Sequence, residues 1–339
     1  MTQLAEGLPP AHTLLASEHA IGLVHETGVT LLDSTSFAQL LRVDGPIHAA
    51  CLDGERLRVV AGDTLLEQRA DGWDRRALAT PADPVISAAV GGHWVAWSTN
   101  GQAEPGTAPI AATVHRMDLR DEDTTTLALG DRAGPELSCL AVTPSGLLLA
   151  AGRYTEWEDV FEYEVFRWHE LVWVWRLADR QLLGIVDLGW QSGELDPVDA
   201  PTVGMSADDR WITVVVDGEV SLLPTEALWA ARPSSSPQAP LTIPCAHVGG
   251  PSAFTPDGRS ILCLSSPDWA LYSCHQIRAG ITAMRAQGRA SPLNTWRAVK
   301  PIWRHPAPIP GVTAVAAPPG WGAALMVDQW GTLWRLELW

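Results

Sequence analysis

Between Thr155 and Glu170 the chain reads TEWEDVFEYEVFRWHE, carboxylates and aromatic rings alternating almost residue by residue. Carboxylates can do general acid–base work when a fold sets them across a cleft. Neighbours this close in sequence define no cleft, so the run argues for recognition rather than reaction. Rigid rings with a charged rim are what protein interfaces favour, and the acidic groups would steer a basic partner. The expected contacts are Tyr154, Trp157, Glu158, Phe161, Glu162, Tyr163 and Trp168. The plain alternative is that these rings pack the segment onto its own scaffold.

A second segment carries the opposite charge. From Trp269 to Val327 there is no Asp or Glu, while Arg278, Arg285, Arg289, Arg297, Lys300 and Arg304 are all present. Such a patch can bind phosphate or an acidic partner, with Trp296 and Trp303 as stacking surfaces for nucleic-acid bases. Its ordinary role is to solvate a loop or to pair with the chain's many carboxylates.

Catalytic machinery is not expected. The ten histidines are dispersed without metal-ligand spacing, and no nucleophile elbow, phosphate loop or dinucleotide fingerprint occurs. No catalytic residue, metal ligand or cofactor is assigned. The five cysteines are scattered in apolar runs with no CxxC pair, which reads as buried free thiols.

Composition bounds the class. A 339-residue chain with 46% hydrophobic residues can bury a sizeable core. Its net charge of −16 argues against a surface that tracks nucleic acid throughout. No apolar run is long enough for a membrane helix, and the N-terminal stretch does not read as a signal peptide, so the expected location is cytoplasmic, with no membrane partner. Arginine outnumbers lysine 22 to one, as GC-rich bacterial coding would give.

The scaffold that must position these segments is written in short strands. AVTPSGLLLAAG (141–152), GMSADDRWITVVVDG (204–218) and AFTPDGRSILCLSS (253–266) share one grammar: an apolar strand, a Pro/Asp/Gly turn, a second apolar strand. Weaker copies are AACLDGERLRVVAGD and AVAAPPGWGAALMVD. Third strands such as HELVWVWRLADR and GTLWRLELW follow, then fourth strands such as QLLGIVDLG and APLTIPCA. Repetition at roughly 40–60 residues signals a radial array.

AFTPDGRSILCLSS resembles the first two strands of a WD repeat, and LVWVWRLADRQLLGIVDLG resembles its third and fourth. Where the family places Asp after the third-strand Trp, this chain has Arg176 after Trp175 and Arg335 after Trp334. The resemblance implies an all-β chain, one β-propeller over residues 1–339; counting repeats gives seven four-stranded blades starting near 12, 47, 85, 137, 200, 250 and 311, with six or eight as the alternatives. The final repeat ends after its third strand, and an open edge invites aggregation. The N-terminal segment is therefore expected to complete the last blade.

In such a propeller, residues 152–169 and the loop 101–112 are insertions between second and third strands, on one face of adjacent blades. Residues 227–240 and 276–294 emerge on the other face. The 152–169 insertion fits two periods. With period two, Trp157, Phe161 and Tyr163 share a face, as in a hairpin; with helical period, Tyr154, Trp157, Phe161, Val165 and Trp168 form a stripe. QIRAGITAMRAQGR fits a short helix with Ile277, Ile281 and Met284 on one side. The expected function is a non-catalytic interaction scaffold, one subunit of a larger hetero-complex, binding a protein through the acidic aromatic face. The alternatives are a nucleic-acid-associated subunit using residues 276–304, and a metal-dependent hydrolase with its site in the propeller channel.

Overall fold

A computed structural model describes the chain apart from residues 54–55, 81–82, 100–111, 130–135, 144, 161–162, 193–201, 207, 217–218, 226–240, 243–245, 250, 266–267, 288–292, 295–298, 307–308, 310 and 339. Side chains are described over a slightly narrower set, which leaves out those of residues 153–170 and 285 among others.

Seven antiparallel sheets of four consecutive positions make a seven-bladed β-propeller. After β1 (Thr2–Ala5), blade 1 comprises β2 (Thr13–Ala16), β3 (Ala20–His25), β4 (Gly28–Asp33) and β5 (Gln39–Asp44). Blade 2 comprises β6 (Ile47–Asp53), β7 (Arg56–Ala61), β8 (Thr64–Arg69) and β9 (Gly72–Ala77). Blade 3 comprises β10 (Val85–Gly91), β11 (Trp94–Thr99), β12 (Thr113–Asp118) and β13 (Thr124–Leu127). Blade 4 comprises β14 (Glu136–Val142), β15 (Leu147–Val160), β16 (Tyr163–Arg176) and β17 (Gln181–Ser192). Blade 5 comprises β18 (Thr202–Met205), β19 (Trp211–Val216), β20 (Glu219–Pro224) and β22 (Ala246–Gly249), with β21 (Leu241–Thr242) in the connection. Blade 6 comprises β23 (Ser252–Phe254), β24 (Ser260–Ser265), β25 (Asp268–Ser273) and β27 (Trp303–Pro306), with α1 (Cys274–Ala286) and β26 (Leu293–Asn294) before its last strand. Blade 7 comprises β28 (Val312–Ala316), β29 (Ala323–Asp328) and β30 (Leu333–Glu337).

The fourth position of blade 7 is β1, antiparallel to β30, with Thr2 opposite Arg335 and Gln3 opposite Trp334. The expected closure by the N-terminus holds, and it removes the edge that β30 would otherwise present. Leu8 N–H donates to Gly331 O at 3.0 Å, fastening the segment after β1 to the β29–β30 turn.

Residue type follows position in the blade. Strands β11 and β29 are buried throughout, and WVAWST and AALMVD are correspondingly near-continuous apolar runs. The outer strand β9 reads GWDRRA and is largely exposed. The core is a ring of seven clusters, one at each junction between consecutive blades. Trp173 and Trp175 of β16 are fully buried with Trp94 and Val114 of blade 3. Leu23 and Leu32 of blade 1 pack on Leu325 and Leu333 of blade 7.

The shared turn grammar has a hydrogen-bond basis. Thr143, Ser206 and Thr255 each end a first strand, and each hydroxyl accepts a backbone N–H further along, from Leu147, Trp211 and Ser260 at 3.0 Å in each case. Ser206 and Thr255 also donate to the carboxylate two residues on, Asp208 and Asp257, both at 2.7 Å. Three residues past the hydroxyl, the backbone takes a left-handed turn at Gly146 (φ 89), Asp209 (φ 56) and Gly258 (φ 66).

One strand assignment is corrected. Leu241–Thr242, read from sequence within blade 5's fourth strand, instead pairs in parallel with β17 of blade 4, Val186 opposite Leu241. The fourth strand is β22, which pairs with β20. The same device recurs one blade later, where β26 adds in parallel to β22. Each long third-to-fourth connection thus lays a short strand on the outer edge of the preceding blade. Local pattern cannot reveal such a strand, because the neighbouring blade supplies all its pairing.

Candidate functional site

The 152–169 insertion is a β-hairpin arm. Strands β15 and β16 each run 14 residues, whereas β11 and β29 run six. They stay in unbroken register from Leu147 opposite Arg176 to Val160 opposite Tyr163, with Trp157 opposite Phe166. The two strands simply continue out of the blade, which settles the helix-or-hairpin alternative. First strand β14 accompanies β15 only as far as Arg153, opposite Glu136. Seven further residues at about 3.3 Å each carry the arm roughly 23 Å beyond that point. On the other side β17 follows β16 out to Arg167, opposite Ser192, so the base of the arm is three-stranded.

The backbone places Tyr154, Trp157, Glu158, Tyr163 and Trp168 on this arm. Phe161 and Glu162 lie outside the described residues, as do the loop 101–112 up to residue 111 and the side chains of the arm. In sequence, residues 152–170 hold six carboxylates against two arginines.

Arginine-bearing residues 276–294 begin as a helix. Ser273 Oγ accepts the Gln276 N–H at 3.4 Å at the start of α1. Ile277 and Ile281 are buried and Met284 is partly buried, all against the blade 5–blade 6 cluster around Trp211 and Tyr272. This is the apolar stripe that the period predicts. Arg278 sits with its guanidinium carbon 5.3 Å from the Trp211 ring centroid, so part of its charge is spent on packing. Lys300 and Arg304 are exposed. The Arg285 side chain, Arg289, Arg297 and Trp296 lie outside the described residues. Trp303 stacks on His305 at 5.6 Å and packs against blade 7.

The central channel is the third place where a site could form. Its wall, built from first strands, is apolar and rich in small residues. One cavity of about 820 Å³ lies against blades 1, 5, 6 and 7. A second, of about 340 Å³, lies against blades 1 to 5. Their ionisable groups among the described residues are His12 and His48, and burial pushes both below the usual histidine range. Among the described residues, no cluster of three His, Cys, Asp or Glu could hold a metal ion. The thiols are equally quiet: burial pushes Cys51 up to about 11 and Cys274 up to about 12, leaving both protonated at neutral pH.

Sequence reasoning missed this channel wall. The signal available was faint: alternate small residues in the first strands, as in HAAC, SAAV and TAVAA.

No family model matches the chain, and no curated protein matches it. Solved structures share its fold across nearly the whole length. Hydrazine synthase from Kuenenia stuttgartiensis superposes with a TM-score of 0.61 at 12% identity, covering 99% of this chain and 98% of that one. The Cps50 (Swd1) β-propeller domain from Myceliophteria thermophila gives 0.60 at 11% identity, covering 99% of each. A chain of the mitotic checkpoint complex gives 0.57 at 12% identity, covering 100% of this chain and 95% of that one. At such identities the likeness is one of fold, and the fold is the seven-bladed propeller that the repeat grammar implied.

Proposed function

We propose that this chain is a non-catalytic interaction subunit that docks a protein partner through the arm of blade 4. The observation that carries the reading is the arm itself. Two strands leave a closed blade by seven residues on a base of three strands, and their sequence joins rings to carboxylates. A rigid ribbon holds contact residues at low entropic cost, and clustered carboxylates accelerate encounter with a basic surface. Two of the similar folds, the Cps50 domain and the mitotic checkpoint chain, come from proteins whose names mark them as members of assemblies or as propeller domains, which fits this class of function. The likeness to hydrazine synthase is to an enzyme, and the described residues here form no cluster of three His, Cys, Asp or Glu that could hold a metal ion. The partner is a basic protein within a larger cytoplasmic, bacterial assembly.

The test replaces residues 155–168 with Asn-Gly, which closes β15 on β16 with a two-residue turn inside the blade. Affinity capture from the native host, followed by reconstitution with the purified partner, should show a salt-sensitive complex with the intact chain and none with the trimmed one. Equal capture by a trimmed chain of unchanged melting temperature would remove the arm from the function.

A further inference from the structure

The larger channel cavity is more than the bore of a propeller. At the other junctions, first strands of consecutive blades pack on one another, as β14 does on β18 and β23 on β28; between β18 and β23 that contact thins among the described residues. The cavity extends into this gap. It reaches Thr213 and Val215 of β19 and Val220 of β20, behind the inner ring of blade 5, and faces Phe254 of blade 6 and Val315 of blade 7. It is therefore a cleft between blades 5 and 6 that opens from the channel.

Its chemistry is narrow. Among the described residues the wall includes no Asp, Glu, Lys or Arg, in a chain where 18% of residues are charged. His12 is the one ionisable lining residue among those described, and burial, opposed by Glu26, favours its neutral form. The polar atoms that remain are neutral hydroxyls such as those of Thr13, Thr213 and Ser252. The whole cavity, cleft and adjoining channel together, has a volume of about 820 Å³, within the range of roughly 300–1,000 Å³ typical of small-molecule sites, which are mostly apolar with a few placed polar groups. Water held there finds few partners, and an apolar ligand that displaces it gains affinity.

We propose that the cleft between blades 5 and 6 binds an uncharged, largely apolar small molecule. A charged ligand would leave water without a counter-charge on the wall, a penalty the cleft cannot offset. The arm plays no part in this site, so the two proposals stand or fall separately.

The probe is N-phenyl-1-naphthylamine, a neutral apolar fluorophore, titrated into the full chain. The expected result is saturable fluorescence enhancement at one dye per chain. Ala316→Trp, which fills the wall, and Ala253→Glu, which charges it, should each weaken binding about tenfold or more. Circular dichroism and melting temperature identify which of the two variants is folded, and either folded variant suffices for the comparison. The sulfonated analogue 1-anilinonaphthalene-8-sulfonate should bind more weakly than the neutral dye. Absence of saturable binding, binding unchanged in a folded variant, or preference for the sulfonate would each overturn the assignment.

Discussion

The indole N–H of Trp334 donates to Asp328 Oδ2 at 3.0 Å, across the turn that joins the second and third strands of blade 7. Asp328 is buried, and its Oδ1 accepts the Trp330 and Thr332 N–H groups at 3.0 and 2.9 Å. One carboxylate thus satisfies three donors, and blade 7 is held by polar bonds as well as apolar packing. Asp328→Ala leaves those donors without their acceptor and should cost roughly 3 kcal/mol, read by urea denaturation. Burial pushes this carboxyl up, while the bonds from Thr332, Trp334 and Trp330 outweigh it and leave the group below its ordinary value. Its contribution is therefore present at neutral pH and is lost as pH falls through the folded-state value.

Removing residues 1–7 should both destabilise the chain and make it associate. The deletion strips β1 from β30 and exposes a strand edge next to the β29–β30 turn, where a Cβ on Gly331 would meet Leu8 O. The ladder bonds lost are worth about 1 kcal/mol each. Differential scanning calorimetry and size-exclusion chromatography would register the two effects. A truncated chain that melts with the intact one and stays monodisperse would show that β1 is dispensable.

Arg58 lies buried in β7, donating to Glu67 Oε1 at 3.1 Å and to Gly92 O of blade 3. It therefore ties blade 2 to the β10–β11 turn. Arg58→Ala leaves Glu67, among the described residues, with only Arg69, whose Nη2 is 2.7 Å away, as a close cation; the expected loss is about 3 kcal/mol. Replacing both residues, Arg58→Met with Glu67→Leu, should cost less than Arg58→Met alone, because no buried charge is then stranded. The four corners of that cycle, measured by chemical denaturation, give the comparison directly.

How much of this was legible in the sequence depends on where each bond is made. The Thr143, Ser206 and Thr255 turns were legible because Pro, Asp or Gly falls within a few residues of each, between two apolar strands. The fold followed, since repeating that turn fixes strand pairs and leaves a final edge for β1 to close. The arm was half legible: Trp157 and Phe161 suit two periods, and only the uninterrupted pairing from Leu147–Arg176 outward selects the hairpin. Strands β21 and β26 were illegible, being two residues each with partners a blade away. The cleft behind Val220 was illegible too, because the spacing between β18 and β23 leaves no mark in either strand.

Acid sensitivity should also arise at Asp118, where the Arg120 guanidinium, donating at 2.6 Å, holds the carboxyl at about 2. A folded-state value below the unfolded one near 3.9 contributes stability above that pH and loses it as pH falls toward 2. Arg120 is two-thirds exposed, so screening keeps the contribution small. Arg120→Ala should flatten this part of the stability curve between pH 5 and pH 2, as followed by thermal melts across the range.

The turn grammar makes opposite predictions at equivalent positions. Asp209 occupies the left-handed position that Gly146 and Gly258 hold in the neighbouring blades, and its Oδ1 is buried without a partner among the described residues. Asp209→Gly relieves the backbone strain and the stranded oxygen, against the entropy that glycine adds to the unfolded chain. The net gain should be about 0.5 kcal/mol. Gly146→Ala goes the other way: φ is 89, and a Cβ would lie 2.7 Å from Trp94 Nε1, an atom fixed in the blade 3 core. That change should cost about 2 kcal/mol. Paired denaturation curves decide the matter, since a loss at Asp209→Gly or a neutral Gly146→Ala would mean that the three turns do not share one conformational requirement.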